Sequence, residues 1–323
     1  MLTARDDVIK AIGSGTPLFL AGDENVLRGL PQGNWVAGTI PYFMDKSGGV
    51  VSKELIDMTE LPTPAAMQDI RWYGEAELEN LPGNTPDPGF TFLILPAASG
   101  VHLEYAQNAP NYPDLFVRPT IGWISGVLLD DLGTITPKVV NGLTGEFSDS
   151  KGIAMHCALP EGKLASIGII NIFEQGDGDS IRFEQEGFSV KQCLVNGQTA
   201  NFAEYLTEKK INIELPLVAN YSGTMVNVSF QKINETEKTV DLYAPVFQGV
   251  EYKIAAPVAD YVGAFTQKLA VKRAAPLFSC NCILNFLYSK LEGKKTGPFT
   301  GPITFGEIAY QLVNQTLVYL DVT

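Results

Sequence analysis

The chain has 323 residues, 45% of them hydrophobic and 18% charged. That balance belongs to a folded chain long enough for more than one core, and it excludes a disordered or fibrous protein. The net charge is −13, from 36 acidic and 23 basic residues; a field of that sign repels nucleic acids and anionic membranes, so neither is expected as a partner.

No apolar run reaches the ~18–20 residues that cross a bilayer. The opening MLTARDDVIKAIGSG carries acidic residues where a secretory signal has its apolar run, so a cytoplasmic location is the expectation. Cys157, Cys193, Cys280 and Cys282 are too few for a disulfide scaffold in a chain of this length and read as reduced thiols. The Asn-x-Ser/Thr strings at Asn220, Asn227, Asn234 and Asn314 carry no weight without a secretory route. The short basic cluster of Lys268, Lys272 and Arg273 reads as the solvated end of a helix.

In chain order, residues 1–16 predict a helix with Val8, Ile9 and Ile12 on one face, ended by GSG. PLFLAG, NWVAGTIPYFM and GGVVSKELIDMTEL follow as three strands, with a turn at Ser47-Gly48-Gly49. FTFLILPAAS is a continuous apolar run, as expected of a strand covered on both faces, and GVHLEYAQNAP is a helix stopped by Pro110. From about residue 117 the texture turns to short β-rich runs broken by Gly, Pro and Asn-Gly. Within these, EQGDGDS reads as a hairpin tip, because Asp-Gly favours a tight turn and the run lacks the ligand pattern of a calcium loop. NFAEYLTEKKIN predicts a helix with Phe202, Tyr205 and Leu206 inward. ADYVGAFTQKLAVKRA and LNFLYSKLEG are two further helices flanking the buried strand PLFSCN, and QTLVYLDV closes the chain as a strand. The expectation is a two-part α+β (mixed α/β) protein of mixed sheets flanked by helices, divided softly near 190 into residues 1–190 and 191–323.

The order IRFEQEGFSVKQCLVNGQTANFAEYL, TVDLYAPVFQGVEYKIAAP, a helix, APLFSCNCILNF and GPFTGPITFGEIAY resembles the FIST family, a two-part sensory domain of bacterial signalling proteins. The likeness covers residues 182–312, with Phe278–Asn281 and Thr304–Ile308 its most specific blocks; NWVAGTIPYFM matches the family's first half more weakly. What the resemblance implies is a stand-alone, divergent FIST N/C-like protein that binds a small ligand, amino acids among the candidates, and has no catalytic residues.

The residues themselves offer few centres of chemistry. There is no Walker loop, strand-linked G-x-G-x-x-G, G-x-S-x-G or H-E-x-x-H. Cys280 and Cys282 are spaced as Cys-x-Cys, not as the Cys-x-x-Cys knuckle that zinc prefers, and no metal or other cofactor is expected. A cysteine nucleophile needs a base, and with only 2 histidines in the chain the pair compatible with the FSC block is Cys280 with His156. Glu307 follows Gly306 and has two readings: a carboxylate favouring the start of a helix, or the partner of a ligand's ammonium group. In the second reading Cys280 and Asn281 form the pocket wall and Tyr42 reaches in from the first half. The expected function is therefore non-catalytic binding of a small molecule, an amino acid or small amine, in bacterial intracellular signalling. A Cys-dependent hydrolase or transferase, or an interaction scaffold for a protein partner, is the alternative.

Overall fold

FTFLILP is apolar but for Thr91, and such a run is stable in water only when both faces of the strand are covered. In a computed structural model, which describes residues 1–221, 224–269 and 275–323, it forms the strand Gly89–Pro96, buried at every position. This strand lies inside a six-stranded mixed sheet, parallel to Thr120–Ser125 and antiparallel to Gly152–Ala158. The crossover between the parallel pair contains the helix Gly100–Asn108, begun by Ser99, whose Oγ accepts a hydrogen bond from the His102 amide. Beyond Thr120–Ser125 the sheet continues into Glu307–Ala309 and Gln311–Val313, both antiparallel to their neighbours.

A second mixed sheet runs from Gly48–Val51 through Tyr42–Asp45, Gly301–Thr304, Phe278–Cys282 and Leu317–Val322 to Ala165–Ile170. The sheet built around the parallel pair Leu18–Gly22 and Trp35–Thr39 draws only on the first 148 residues. Two further sheets, of six and three strands, are made wholly from residues 181–254. The chain is thus mixed α/β, with several mixed sheets and short helices. The expected division near 190 does not coincide with a change of sheet, since Gly187–Val190 pairs with Thr239–Val246. The last strands, from 278 onward, pair with strands of the first half.

Local expectations fare unevenly. The first helix is Arg5–Gly13, with Val8 and Ile12 buried against Leu18 and Trp35. NWVAGTIPYFM is two strands, Trp35–Thr39 and Tyr42–Asp45, in different sheets, because Pro41 has no amide hydrogen to continue the ladder. GGVVSKELIDMTEL likewise splits into Gly48–Val51 and Leu55–Glu60. EQGDGDS is not a hairpin tip: the strands on either side, Ala165–Ile170 and Ile181–Arg182, belong to different sheets. It is a crossing segment, tied down where Asn196 Nδ2 and Tyr205 Oη each donate to Asp179. The Asn-Gly hairpin does form: Asn196 and Gly197, both at positive φ, join Gln192–Val195 to Gln198–Asn201. The helix after it is Phe202–Glu208, and the later two are Tyr261–Leu269 and Ile283–Tyr288. Lys268 donates to the Asn171 carbonyl, while Lys272 and Arg273 of the basic cluster lie outside the described residues. Among the described residues, no helix is long and apolar enough to cross a membrane.

Candidate functional site

The strand Phe278–Cys282 is buried at all five positions, so its polar side chains must find partners inside the protein. Asn281 Oδ1 accepts from the Cys282 amide and from Asn285 Nδ2, one turn into the next helix. Glu307 begins a strand, not a helix, which removes the helix-start reading of its carboxylate. It is 0% exposed, and it accepts from Thr304 Oγ1 at 3.2 Å and Thr316 Oγ1 at 2.8 Å. The Cys282 thiol also faces it. Burial pushes the Glu307 carboxyl up to about 8, against the opposing pull of the Thr316, Thr304 and Cys282 donors. Near neutral pH this carboxyl is therefore mostly a neutral acid. Tyr261 Oη faces the amides of Asn281 and Asn285, but these approaches fall short of hydrogen-bond geometry and leave Tyr261 Oη, Asn281 Nδ2 and Asn285 Oδ1 unpaired.

Three of the four residues expected at a ligand site, Cys280, Asn281 and Glu307, thus come from strands of two different sheets into one buried polar cluster. Tyr42 is not among its hydrogen-bond partners: its hydroxyl accepts from the Leu129 amide at 3.0 Å and its ring meets Phe286 edge-on. None of the four lines the large cleft at the strand ends, whereas Cys282 does.

The Cys280–His156 pair does not form. Cys280 Sγ points at the Gly122 carbonyl at 3.6 Å, and burial raises its thiol well above the usual range. His156 is occupied on both nitrogens, Nε2 by Tyr73 Oη at 2.8 Å and Nδ1 by Thr91 Oγ1 at 2.7 Å. All four cysteines are buried and unpaired in disulfides. Among the described residues, no three His, Cys, Asp or Glu side chains gather as a metal site would require.

The feature that sequence reasoning missed is this cleft, about 560 Å³ in volume, just beyond the carboxyl ends of the parallel strands Gly89–Pro96 and Thr120–Ser125. Ala97 and Ala98, immediately after the first strand, form part of its wall. Phe305 forms another part, its ring packed over Gly126 so closely that a Cβ there would sit 2.5 Å from the ring. Most of the remaining wall is apolar, and several of its side chains, Leu103, Leu132, Ile135 and Leu287, are exposed at the rim, Leu132 to 50%. The polar groups are few. Asp149 and Asp241 supply carboxylates, with Ser189 Oγ donating to Asp241 Oδ1 at 2.6 Å, and His102 and Asn314 stand among the other polar side chains. The described lining contains no lysine or arginine. The signal that could have found this site is the loop PAASG after a buried, mainly apolar strand, since open α/β sheets bind ligands beyond the carboxyl ends of their parallel strands.

The fold and cleft define a mixed α/β protein with a large, mainly apolar recess at the ends of its central strands. The chain belongs to the family of unknown function DUF6976, whose model matches residues 3–323. No curated protein and no solved structure matches it.

Proposed function

We propose that the chain is a non-catalytic binding protein that holds a small, mainly apolar amine in the cleft at the ends of the Gly89–Pro96 and Thr120–Ser125 strands. The observation that carries this reading is the cleft's composition: apolar walls, the carboxylates of Asp149 and Asp241, and no lysine or arginine in the described lining. Its volume of about 560 Å³ falls inside the ~300–1,000 Å³ typical of small-molecule sites. The exposed rim leucines are the kind of apolar surface that a folded chain keeps for binding.

In this reading the ammonium group goes to Asp241. Glu307 lies behind Cys282, sealed and mostly protonated, and serves the architecture. The sensory, intracellular signalling role rests on the FIST-like order of residues 182–312 together with the cleft, since the function of the matching family is unknown. The two-part organisation belongs to the same proposal. It is best drawn with residues 181–254, which own two sheets, as one part, and with the remainder, joined by strands from 278 onward, as the other.

The test is a thermal-shift comparison of phenethylamine with its uncharged analogue phenethyl alcohol. A molecule that binds only the folded state raises the melting temperature by mass action. Phenethylamine should raise it and the alcohol should do so weakly. Asp241→Asn keeps the oxygen that Ser189 uses and removes the charge, and a charge-assisted bond contributes ~1.5–3 kcal/mol, so affinity for the amine should fall about tenfold or more. Equal shifts by amine and alcohol, or an Asp241→Asn variant that binds the amine unchanged, would overturn the assignment.

A further inference from the structure

Two buried side-chain donors in the cleft lining have no hydrogen-bond partner: His102 at Nε2 and Asn314 at Nδ2. The orientation of each is fixed from its other end. The Ala98 amide donates to His102 Nδ1 at 3.2 Å, so Nδ1 holds a lone pair and the proton of the neutral ring sits on Nε2. Ala98 itself is held at φ 59°, a left-handed conformation that costs a non-glycine residue about 1 kcal/mol or more, so the loop that aims this ring is built against its local preference. The ring is half-buried by area and meets the Phe188 ring edge-to-face, and Nε2 is closed off from solvent. On Asn314, Oδ1 accepts from the Ser229 amide at 3.1 Å, which sets the amide flip and leaves Nδ2 as the free end. Asn314 is only 2% exposed.

An unpaired buried donor costs ~1–3 kcal/mol, and native proteins carry few of them. Two such donors, locked in orientation on residues that line one cleft, are explained if something with an acceptor enters that cleft and reaches them. The donors are neutral and the described lining has no lysine or arginine, so the acceptor is read by hydrogen bonds and not by opposite charge.

We infer that His102 and Asn314 are the donors that select a carbonyl or carboxylate oxygen on the molecule held in the cleft. This rests on the proposed function and names the second polar end of its ligand: an amine at Asp241, an acceptor oxygen at the His102 and Asn314 donors, and an apolar body between. Nε2 is closed off, so the lining must yield as the oxygen arrives, and Phe188 is the ring packed against the imidazole. It sits where the pairing of Gly187–Val190 with Thr239–Val246 loses register, and a bulge of that kind re-aims a side chain and weakens the local ladder.

The test compares phenethylamine with phenylalaninamide, which adds a carboxamide to the same amine and ring. Calorimetry should show phenylalaninamide binding about tenfold tighter, the gain expected from one or two added neutral hydrogen bonds. The chain has only 2 histidines, and both nitrogens of His156 are engaged inside the protein, so imidazole ¹H–¹⁵N spectra separate the two rings. The His102 Nε2–H resonance should move downfield with phenylalaninamide, stay nearly still with phenethylamine, and His156 should not respond to either. His102→Asn, which can still offer an acceptor to the Ala98 amide, should cut the ratio of the two affinities to less than about threefold. Asn314→Asp keeps Oδ1 for Ser229 and should lower phenylalaninamide affinity; if that variant does not fold, the wild-type spectra decide. Equal affinities with an unmoved His102 resonance would overturn this inference and leave the cleft assignment standing. Failure of both amines to raise the melting temperature would overturn both.

Discussion

Replacing Glu307 by glutamine should remove a pH dependence of stability that runs opposite to ordinary acid denaturation. The wild-type carboxyl is pushed from the usual 4.5 up to about 8 because the folded chain seals it away from water. In the unfolded chain it ionises near 4.5, so between 4.5 and 8 the folded state binds the proton and the unfolded state does not. Stability from this group is therefore complete below pH 4.5 and is lost as pH rises towards 8. At about 1.36 kcal/mol per pH unit the full window amounts to roughly 5 kcal/mol, an upper figure because the site can relax around the charge. A glutamine side chain has the size of the neutral acid and keeps an oxygen for Thr316, so the Glu307→Gln variant should carry none of this slope.

The assay is urea unfolding of both proteins at about pH 5, 6, 7 and 8, steps that span the window between the two ionisations. The readout is how their difference in stability changes with pH, because the other titrating groups then cancel. Relative to the glutamine variant, the wild type should weaken by several kcal/mol from the acid end of the series to the alkaline end. Parallel stability curves would refute the argument, since they would mean that Glu307 ionises in the folded protein much as it does in the unfolded chain.

Three other outcomes follow from the same geometry. His156 is held near 4 by burial, so its contribution is complete above the unfolded value of 6.5 and is lost as pH falls towards 4, a loss of roughly 3 kcal/mol; His156→Gln should remove this share of the pH 4–6.5 limb and leave the share of His102, which burial also holds near 4. Native protein should react with a thiol reagent only at its opening rate, and all 4 cysteines should react quickly in denaturant, because every thiol is buried; one fast thiol in the native protein would contradict this. Gly126→Ala should lose about 1–3 kcal/mol in chemical denaturation, because the new methyl group meets the Phe305 ring at 2.5 Å and that ring forms a wall of the cleft.

Much of the order of elements was legible because it depends on neighbours in sequence. The alternation of apolar and turn residues located Leu18–Gly22, Gly89–Pro96, Phe278–Cys282 and Leu317–Val322, and the Asn196-Gly197 turn announced its own hairpin. Pairing was not legible, because it depends on residues far apart. EQGDGDS has the local chemistry of a hairpin, yet Ala165–Ile170 gains more by pairing with Leu317–Val322, which covers it over all six positions. The expected division at 190 does not follow the sheets for the same reason: nothing near 190 records that strands past 278 pair with strands of the first half.

The candidate site was legible to the degree that burial could be inferred. Residues 303–313 read ITFGEIAYQLV, and a single carboxylate amid so many apolar neighbours already marks Glu307 as unusual. A carboxylate there is either a ligand's partner or a buried acid with its own hydroxyl donors. Choosing between them requires Thr316, nine residues later, which approaches only because the chain reverses through Gln311–Val313 and returns as Leu317–Val322. His102 and Asn314 were invisible for a further reason. Their significance lies in an atom that is not hydrogen-bonded, and the absence of a bond is a property of the whole fold around it. In sequence, His102 is a polar residue in the first turns of a helix and Asn314 the start of an Asn-x-Thr string. Only the Ala98 amide on one and the Ser229 amide on the other turn their remaining donors into features that a bound oxygen would satisfy.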